Sequence, residues 1–238
     1  MTGSDRKTIE IDVVSDVMCP WCFIGKKNLE AATGALDGID VTINWRPFQL
    51  DPTLPAEGKD RKQYLEEKFG GENGARQAYT RVEEAGRAAG IDFHFNDIAV
   101  SPNTLDAHRL IRWAGGVSLE TQQRVVNRLF ELYFIEGANI GDAETLVALG
   151  TEAGLDAATV RTALDSTELD AAIDADIHEG TAIGVRGVPF FVVNDTYGVS
   201  GAQSPDVFRE VLERAFADQK STLVDVGGEG EACGPDGC

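Results

Sequence analysis

Two cysteines three positions apart, in Cys19-Pro20-Trp21-Cys22, carry the most specific chemistry in this sequence. They follow a short alternating segment and precede a stretch with helical spacing, the setting in which a C-x-x-C pair does redox work. Across the first turn of a helix, two cysteines at this spacing bring their sulfurs within disulfide reach. Cys19, at the helix N-terminus, meets free N–H groups and the positive end of the dipole, which favours its thiolate. Cys22 falls one turn in, on the apolar face, and is expected to be shielded and to stay a thiol until needed. Pro20 suits a first turn, where its missing N–H would have no helical partner. The chemistry implied is thiol–disulfide exchange, with Cys19 attacking and Cys22 resolving.

Two other readings of the pair compete. A C-x-x-C is also half of a zinc site, which Cys233 and Cys238 would complete. Burial of Cys22 on the helix face would aim it badly for a shared metal, and the second pair has four intervening residues. Two inert core cysteines are the other reading, opposed by the place of Cys19 at a helix start. No metal is expected, because His94, His108 and His178 share no ligand-like spacing. His108 and His178 read as partly buried on helix faces, and His94, between Phe93 and Phe95, reads as packing. Asp16, three residues before Cys19, would either bond loop amides or relay the proton of the resolving thiol. Trp45, Phe48, Trp113 and Phe134 read as core.

A second signal lies far along the chain, in Gly187-Val188-Pro189-Phe190-Phe191. A proline at the start of an apolar strand is an edge or bulge feature, or a cis-proline in a tight turn. If it is cis, Val188 would present a free backbone edge beside Cys19, to which an extended substrate could add as a strand. Val188, Trp21 and Pro20 are the residues expected to contact substrate.

The elements that must hold these residues follow from periodicity. Residues 8–14 and 40–46 alternate as strands on either side of the helix from Cys19, with Cys22, Gly25, Leu29, Ala32 and Leu36 on its apolar face. This is a β-α-β opening and so the start of a parallel sheet. Helical stripes run through Ala75–Ala89, Leu105–Ala114 and Leu119–Tyr133, then at about 142–153, 156–165 and 167–183, with no strand pattern between 55 and 187. Strand character returns at Val188–Asn194, where Asn194-Asp195 supplies turn chemistry for a hairpin with Tyr197–Ser200. Ser204-Pro205 opens a last helix with a core face of Val207, Phe208, Val211, Leu212, Ala215 and Phe216. The expected organisation is an α/β domain from 1–55 and 185–217, an all-helical insertion at 56–184, and a glycine-rich flexible tail at 218–238.

The 238 residues and 42% hydrophobic content suit a chain that buries a real core without disulfide staples. No apolar run is long enough to span a bilayer, and the first residues lack a secretory pattern, so a cytoplasmic setting is expected. A net charge of −19 disfavours nucleic acid and anionic membranes as partners.

Ser15–Gly25 resembles the DsbA-family oxidoreductases of the FrnE type, relatives of the 2-hydroxychromene-2-carboxylate isomerases. Asn103–Leu110, Leu129–Phe134 with Gly141-Asp142, Gly187–Pro189 and Ser200–Gln203 extend the likeness over residues 8–217. The resemblance implies a thioredoxin-like fold with a large helical insertion, Cys19 as nucleophile, Cys22 as resolving thiol and Pro189 as a cis-proline facing them. It implies protein thiols and disulfides as substrates, glutathione or thioredoxin as electron donor, and no cofactor. Many relatives carry His inside the motif, which stabilises the thiolate; Trp21 cannot donate charge. The isomerase relatives carry Ser in place of the first cysteine, so the presence of both here favours dithiol redox.

The tail pair Cys233-Gly-Pro-Asp-Gly-Cys238 encloses a good β-turn, which brings its cysteines close enough to bond. FrnE-type relatives are similar in carrying a C-terminal cysteine pair, and an auxiliary redox role is the expectation. From Phe216 to Cys233 the chain spans at most about 55 Å, which reaches the active site of its own domain or of a neighbour.

Overall fold

Alternation in Thr8–Ser15 produces strand β1, whose inward residues Ile9, Ile11 and Val13 are fully buried. The computed structural model describes residues 8–36 and 38–224. β1 is central. It pairs in parallel with β2 (Asp40–Pro47), with Val13 opposite Trp45, and antiparallel with β5 (Phe190–Val193), with Val13 opposite Phe191. β6 (Tyr197–Ser200) completes the sheet in the order β2-β1-β5-β6. The hairpin between β5 and β6 turns at Asn194 and Asp195, both with positive φ (49° and 51°), the two left-handed residues that the Asn-Asp pair anticipates.

Helix α1 (Pro20–Thr33) connects β1 to β2, and its buried residues include Cys22, Gly25, Leu29 and Ala32. Phe23, Ile24 and Lys26 are buried too, so α1 is covered on more than one stripe, and Leu36 lies beyond its end. The reason is the helical layer. α2 (Arg61–Phe69), α3 (Glu72–Ala88), α4 (Leu105–Val117), α5 (Leu119–Phe134), α6 (Ala143–Glu152), α7 (Ala157–Leu164) and α8 (Thr167–Ala182) all fall between β2 and β5. Phe23 of α1 stacks on Phe130 of α5 at 5.1 Å and meets Phe134 at 6.2 Å, tying the cysteine helix to that layer.

The expectation of no strand between 55 and 187 is corrected by β3 (Lys59–Asp60) and β4 (Val100–Ser101), an antiparallel pair at the base of α2 and α3. Two residues a side carry no readable period. Gly58 makes this closure possible. Its φ is +77°, and a Cβ there would lie 2.7 Å from the Ser101 carbonyl oxygen.

The last helix, α9 (Pro205–Val224), runs past the expected end at 217. Phe208, Leu212 and Ala215 form its buried stripe, with Phe191 and Phe208 edge to face at 4.7 Å. Val207, expected on that face, is exposed. Gln219 donates to the Thr8 carbonyl at 3.4 Å, placing that end of α9 at the start of β1. Phe48 and Trp113 are half-buried rather than core, while Trp45 and Phe134 are buried as expected.

Candidate active site

Cys19 is the N-cap of α1, with extended backbone angles (φ −91°, ψ 114°), and its side chain caps no helix N–H. The turn before it is held by the Cys19 N–H on the Asp16 carbonyl at 3.0 Å. Asp16 is fully buried, and its carboxylate accepts from the Leu50 N–H at 2.7 Å and the Met18 N–H at 3.4 Å. Of the two roles open to Asp16, bonding of loop amides is the one the geometry displays. Buried His108 donates from Nε2 to the Phe48 carbonyl at 2.9 Å, and the same nitrogen is 3.6 Å from Asp16. A carboxylate, an imidazole and three backbone groups thus brace the loop that presents Cys19. The other histidines depart from expectation. His178 is exposed on α8, and His94 is an exposed loop residue whose Nδ1 bonds the Ile135 carbonyl at 2.8 Å.

Both cysteines of the C-x-x-C pair are free thiols, 4% and 1% exposed for Cys19 and Cys22. Burial pushes the Cys22 thiol well above its ordinary range, and the neighbouring Cys19 pushes it further. The Ser15 hydroxyl and the Asp16 backbone act in the opposite direction more weakly. Among the described residues Ser15 Oγ is buried without a hydrogen-bond partner.

Cys19 Sγ approaches the Val188 carbonyl oxygen at 3.8 Å. The Val188–Pro189 peptide is cis, and the Pro189 carbonyl accepts from the Gly201 N–H at 2.9 Å. Among the described residues no hydrogen-bond partner is found for the Val188 N–H. Pro189 also sits against α1: a Cβ added at Gly25 would lie 3.0 Å from both Pro189 Cγ and the Phe191 ring.

A cleft of about 280 Å³ opens at Cys19, walled by Met18, Leu50 and Val188 on one side and by α2 and α3 on the other. Trp21 and Phe69, exposed by 38% and 39%, form an apolar part of its lining that is open to solvent. Pro20 lines it as well. The structure therefore brings together Cys19, Cys22, Pro20, Trp21, Val188 and Pro189. Cys233 and Cys238 lie outside the described residues.

The opposite wall, made by Arg61, Tyr64, Leu65, Lys68, Phe69 and Tyr79, is not placed at the site by the sequence, although Tyr79 lies in the helical stripe Ala75–Ala89. A signal for α2 existed. Asp60 caps it by accepting from the Gln63 N–H at 2.9 Å, the D-x-x-Q spacing of a capping box, and Gly70 ends it with φ +74°. Among the described residues no group of three or more His, Cys, Asp or Glu side chains is placed to hold a metal ion, and no helix is long and apolar enough to cross a membrane.

The family model of the DSBA-like thioredoxin domain matches residues 10–213. The chain belongs to the DSBA-like thioredoxin family. This is a family of thiol–disulfide oxidoreductases, in keeping with the strand, cysteine pair and helix described above. The Bacillus subtilis protein YwbO is 30% identical over 218 residues, covering 90% of this chain and 98% of YwbO. A probable DsbA oxidoreductase from Streptomyces coelicolor is similar in structure, with a TM-score of 0.79, 32% identity, and coverage of 97% and 98% of the two chains. A 2-hydroxychromene-2-carboxylate isomerase shares the fold, with a TM-score of 0.64, 18% identity, and coverage of 92% and 100%. The mixed sheet and the helices between β2 and β5 are consistent with a DsbA-like thioredoxin fold that carries a helical insertion.

Proposed function

We propose that this DsbA-like protein exchanges disulfides with protein thiols through Cys19 and Cys22, in the reductase or isomerase direction. The observation that carries the reading is the approach of Cys19 Sγ to Val188 at the mouth of a cleft, with Cys22 buried one turn behind it. An extended substrate would pair with the unpartnered Val188 amide, with Trp21, Pro20 and Phe69 against its side chains.

In the reductive direction the Cys19 thiolate attacks one sulfur of the substrate disulfide. A Cys19–substrate mixed disulfide forms, and the other substrate sulfur leaves as a thiolate that takes up a proton. Cys22 then gives up its proton and attacks the Cys19 sulfur. The substrate leaves as a second thiolate, and the Cys19–Cys22 disulfide remains. Two electrons have passed to the substrate, and glutathione or thioredoxin in the cytoplasm would return the pair to the dithiol. The high thiol pKa of Cys22 suits the order of events, because a resolving thiol that stays protonated does not compete with Cys19 for the first attack. The tail pair Cys233/Cys238 enters this proposal as an auxiliary dithiol.

The test is a comparison of Cys19→Ser and Cys22→Ser with a disulfide-bonded protein substrate. Cys22→Ser is expected to form one stable mixed disulfide and then stop, and Cys19→Ser to form none. Full turnover by Cys22→Ser would overturn the dithiol mechanism in favour of single-cysteine chemistry resolved by glutathione. Isomerase or transferase activity on a small aromatic substrate, unaffected by Cys22→Ser, would transfer the assignment to that class. One tight zinc per reduced chain would transfer it to a metal-binding interaction module.

A further inference from the structure

Arg61 opens α2 on the wall of the cleft and is only 5% exposed. Its Nη1 donates to the Tyr133 hydroxyl and its Nη2 to the Tyr79 hydroxyl, each at 2.9 Å. Its guanidinium carbon stands 5.1 Å from the centroid of the Tyr79 ring and 5.7 Å from those of Phe95 and Tyr133. Among the described residues no carboxylate comes within ion-pair distance of it. Buried cations are normally paired, because neutral hydroxyls and ring faces do not repay the loss of water. A guanidinium has five N–H donors. The two hydroxyls occupy two of them.

The position of this cation is informative. Arg61 and Tyr79 line the same cleft as Cys19, and Lys68 lines it too. Among the described residues no Asp or Glu does so, in a chain whose net charge is −19. Lys68 is partly offset by Asp51, whose carboxyl it helps to hold down behind the larger effect of Thr53. Glu66, Glu72 and Glu83 border another cavity that Arg61 also lines, but among the described residues none of them pairs with it. Burial pushes the Tyr79 phenol up and the Arg61 guanidinium pulls it back, and both groups line the one cleft with Cys19. The cleft, at about 280 Å³, has room for a side chain or a short chain terminus rather than a large ligand.

We propose that Arg61 receives a carboxylate that the substrate carries close to its reacting sulfur. The inference rests on the disulfide-exchange reading and narrows its substrate class to thiols and disulfides with an adjacent acidic group. That group is a Glu or Asp beside a peptide cysteine, or the carboxylate of a small thiol.

The experiment measures single attack by Cys19 in the full-length Cys22→Ser protein at low salt. One pair of probes is two synthetic peptides, each with its cysteine joined to a nitropyridyl thiol and flanked by either Glu or Gln. The second pair is the disulfides of mercaptoacetate and of 2-mercaptoethanol. A charge-assisted contact predicts that the acidic member of a pair reacts about 10- to 100-fold faster. That ratio should fall to near one in Arg61→Met and to an intermediate value in Arg61→Lys, which keeps the charge without the planar fork. The pair that shows the preference identifies its source as peptide or small thiol. Ratios near one in both pairs with Arg61 present, or a preference that survives Arg61→Met, would overturn the inference alone. The ratio with Arg61 present needs no substitution at that site, so it stands even if Arg61→Met folds poorly. Failure of every probe to react with Cys19 would bring down the exchange reading and the inference together.

Discussion

The Cys19 sulfur lies 3.8 Å from the carbonyl oxygen of Val188, two residues separated by most of the sequence. Two paths fix that distance. β1 leads directly into the cysteine turn and pairs with β5, which begins two residues after Val188. α1 also leans on Pro189 and Phe191 through the bare backbone of Gly25.

The two cysteines should differ in reactivity. Cys22 is buried and its thiol is held protonated by that burial, so at pH 7 it offers little thiolate and little access. A brief pulse of iodoacetamide on the reduced native protein is expected to label Cys19 first, with Cys22 following only after denaturation. Peptide mass mapping reads this directly, and a faster Cys22 would reverse the assignment of roles.

The same burial has a signature in alkali. In the unfolded chain a cysteine loses its proton near pH 8.5, while folded Cys22 keeps its own to a higher pH. The folded state therefore binds more protons in that window. Its stability is full below about pH 8.5 and falls as pH rises toward the folded pKa, by up to about 1.4 kcal/mol per pH unit. Urea midpoints of the reduced protein at pH 8 and pH 10 should show a steeper decline than those of Cys22→Ser. Parallel declines would mean that Cys22 does not contribute.

Gly25→Val should damage the site without touching a cysteine. Its Cβ would press on Pro189 Cγ and the Phe191 ring at 3.0 Å, and both neighbours are held by the sheet. Overpacking of this kind costs about 1–3 kcal/mol. The expected result is a lower melting temperature together with slower single attack by Cys19, as the gap between α1 and Val188 is forced open. Unchanged attack kinetics in a folded variant would show that Gly25 does not set this gap.

Asp16→Ala should cost more than an ordinary surface change. It strips the acceptor from the Leu50 and Met18 amides in a fully buried place, where an unmet donor costs about 1–3 kcal/mol. A loss of about 2–4 kcal/mol in urea denaturation is expected, with Asp16→Asn recovering part of it. A loss below about 0.5 kcal/mol, the range of ordinary surface changes, would contradict the bracing role.

The legible parts of this molecule are those with a period or a punctuation mark. Ile9, Ile11 and Val13 alternate, Asn194-Asp195 turns, and Cys19 stands at the start of the helix it was expected to open. The cysteine side of the site could be read because its parts lie on these elements. The far wall could not be read in the same way. α2 buries only Arg61 and Tyr64, so it has no apolar stripe, and its role depends on folding back over Cys19 from a two-residue ladder that has no pattern at all. The near-complete burial of Cys19 has the same origin: a helix start is exposed in isolation, and here the cleft walls of α2 and α3 cover it.

The direction of α9 bears on the second pair of cysteines. With Gln219 on Thr8, the helix ends at the opposite pole of β1 from Cys19. The eight residues of β1 measure about 23 Å, and the five positions from Gln219 to Val224 add about 7 Å of helix. Eight residues lie between Val224 and Cys233, a contour of at most about 30 Å. Service to the same chain would demand a fully drawn-out leash, whereas a neighbouring molecule can present its Cys19 at any shorter range. Any contribution of Cys233/Cys238 should therefore be second order. In a multi-turnover assay, turnover per molecule should rise with protein concentration in the parent and stay flat in the Cys233→Ser, Cys238→Ser double variant. A tail contribution that is independent of concentration would mean exchange within one chain, and equal turnover in the two proteins would make the tail pair a bystander.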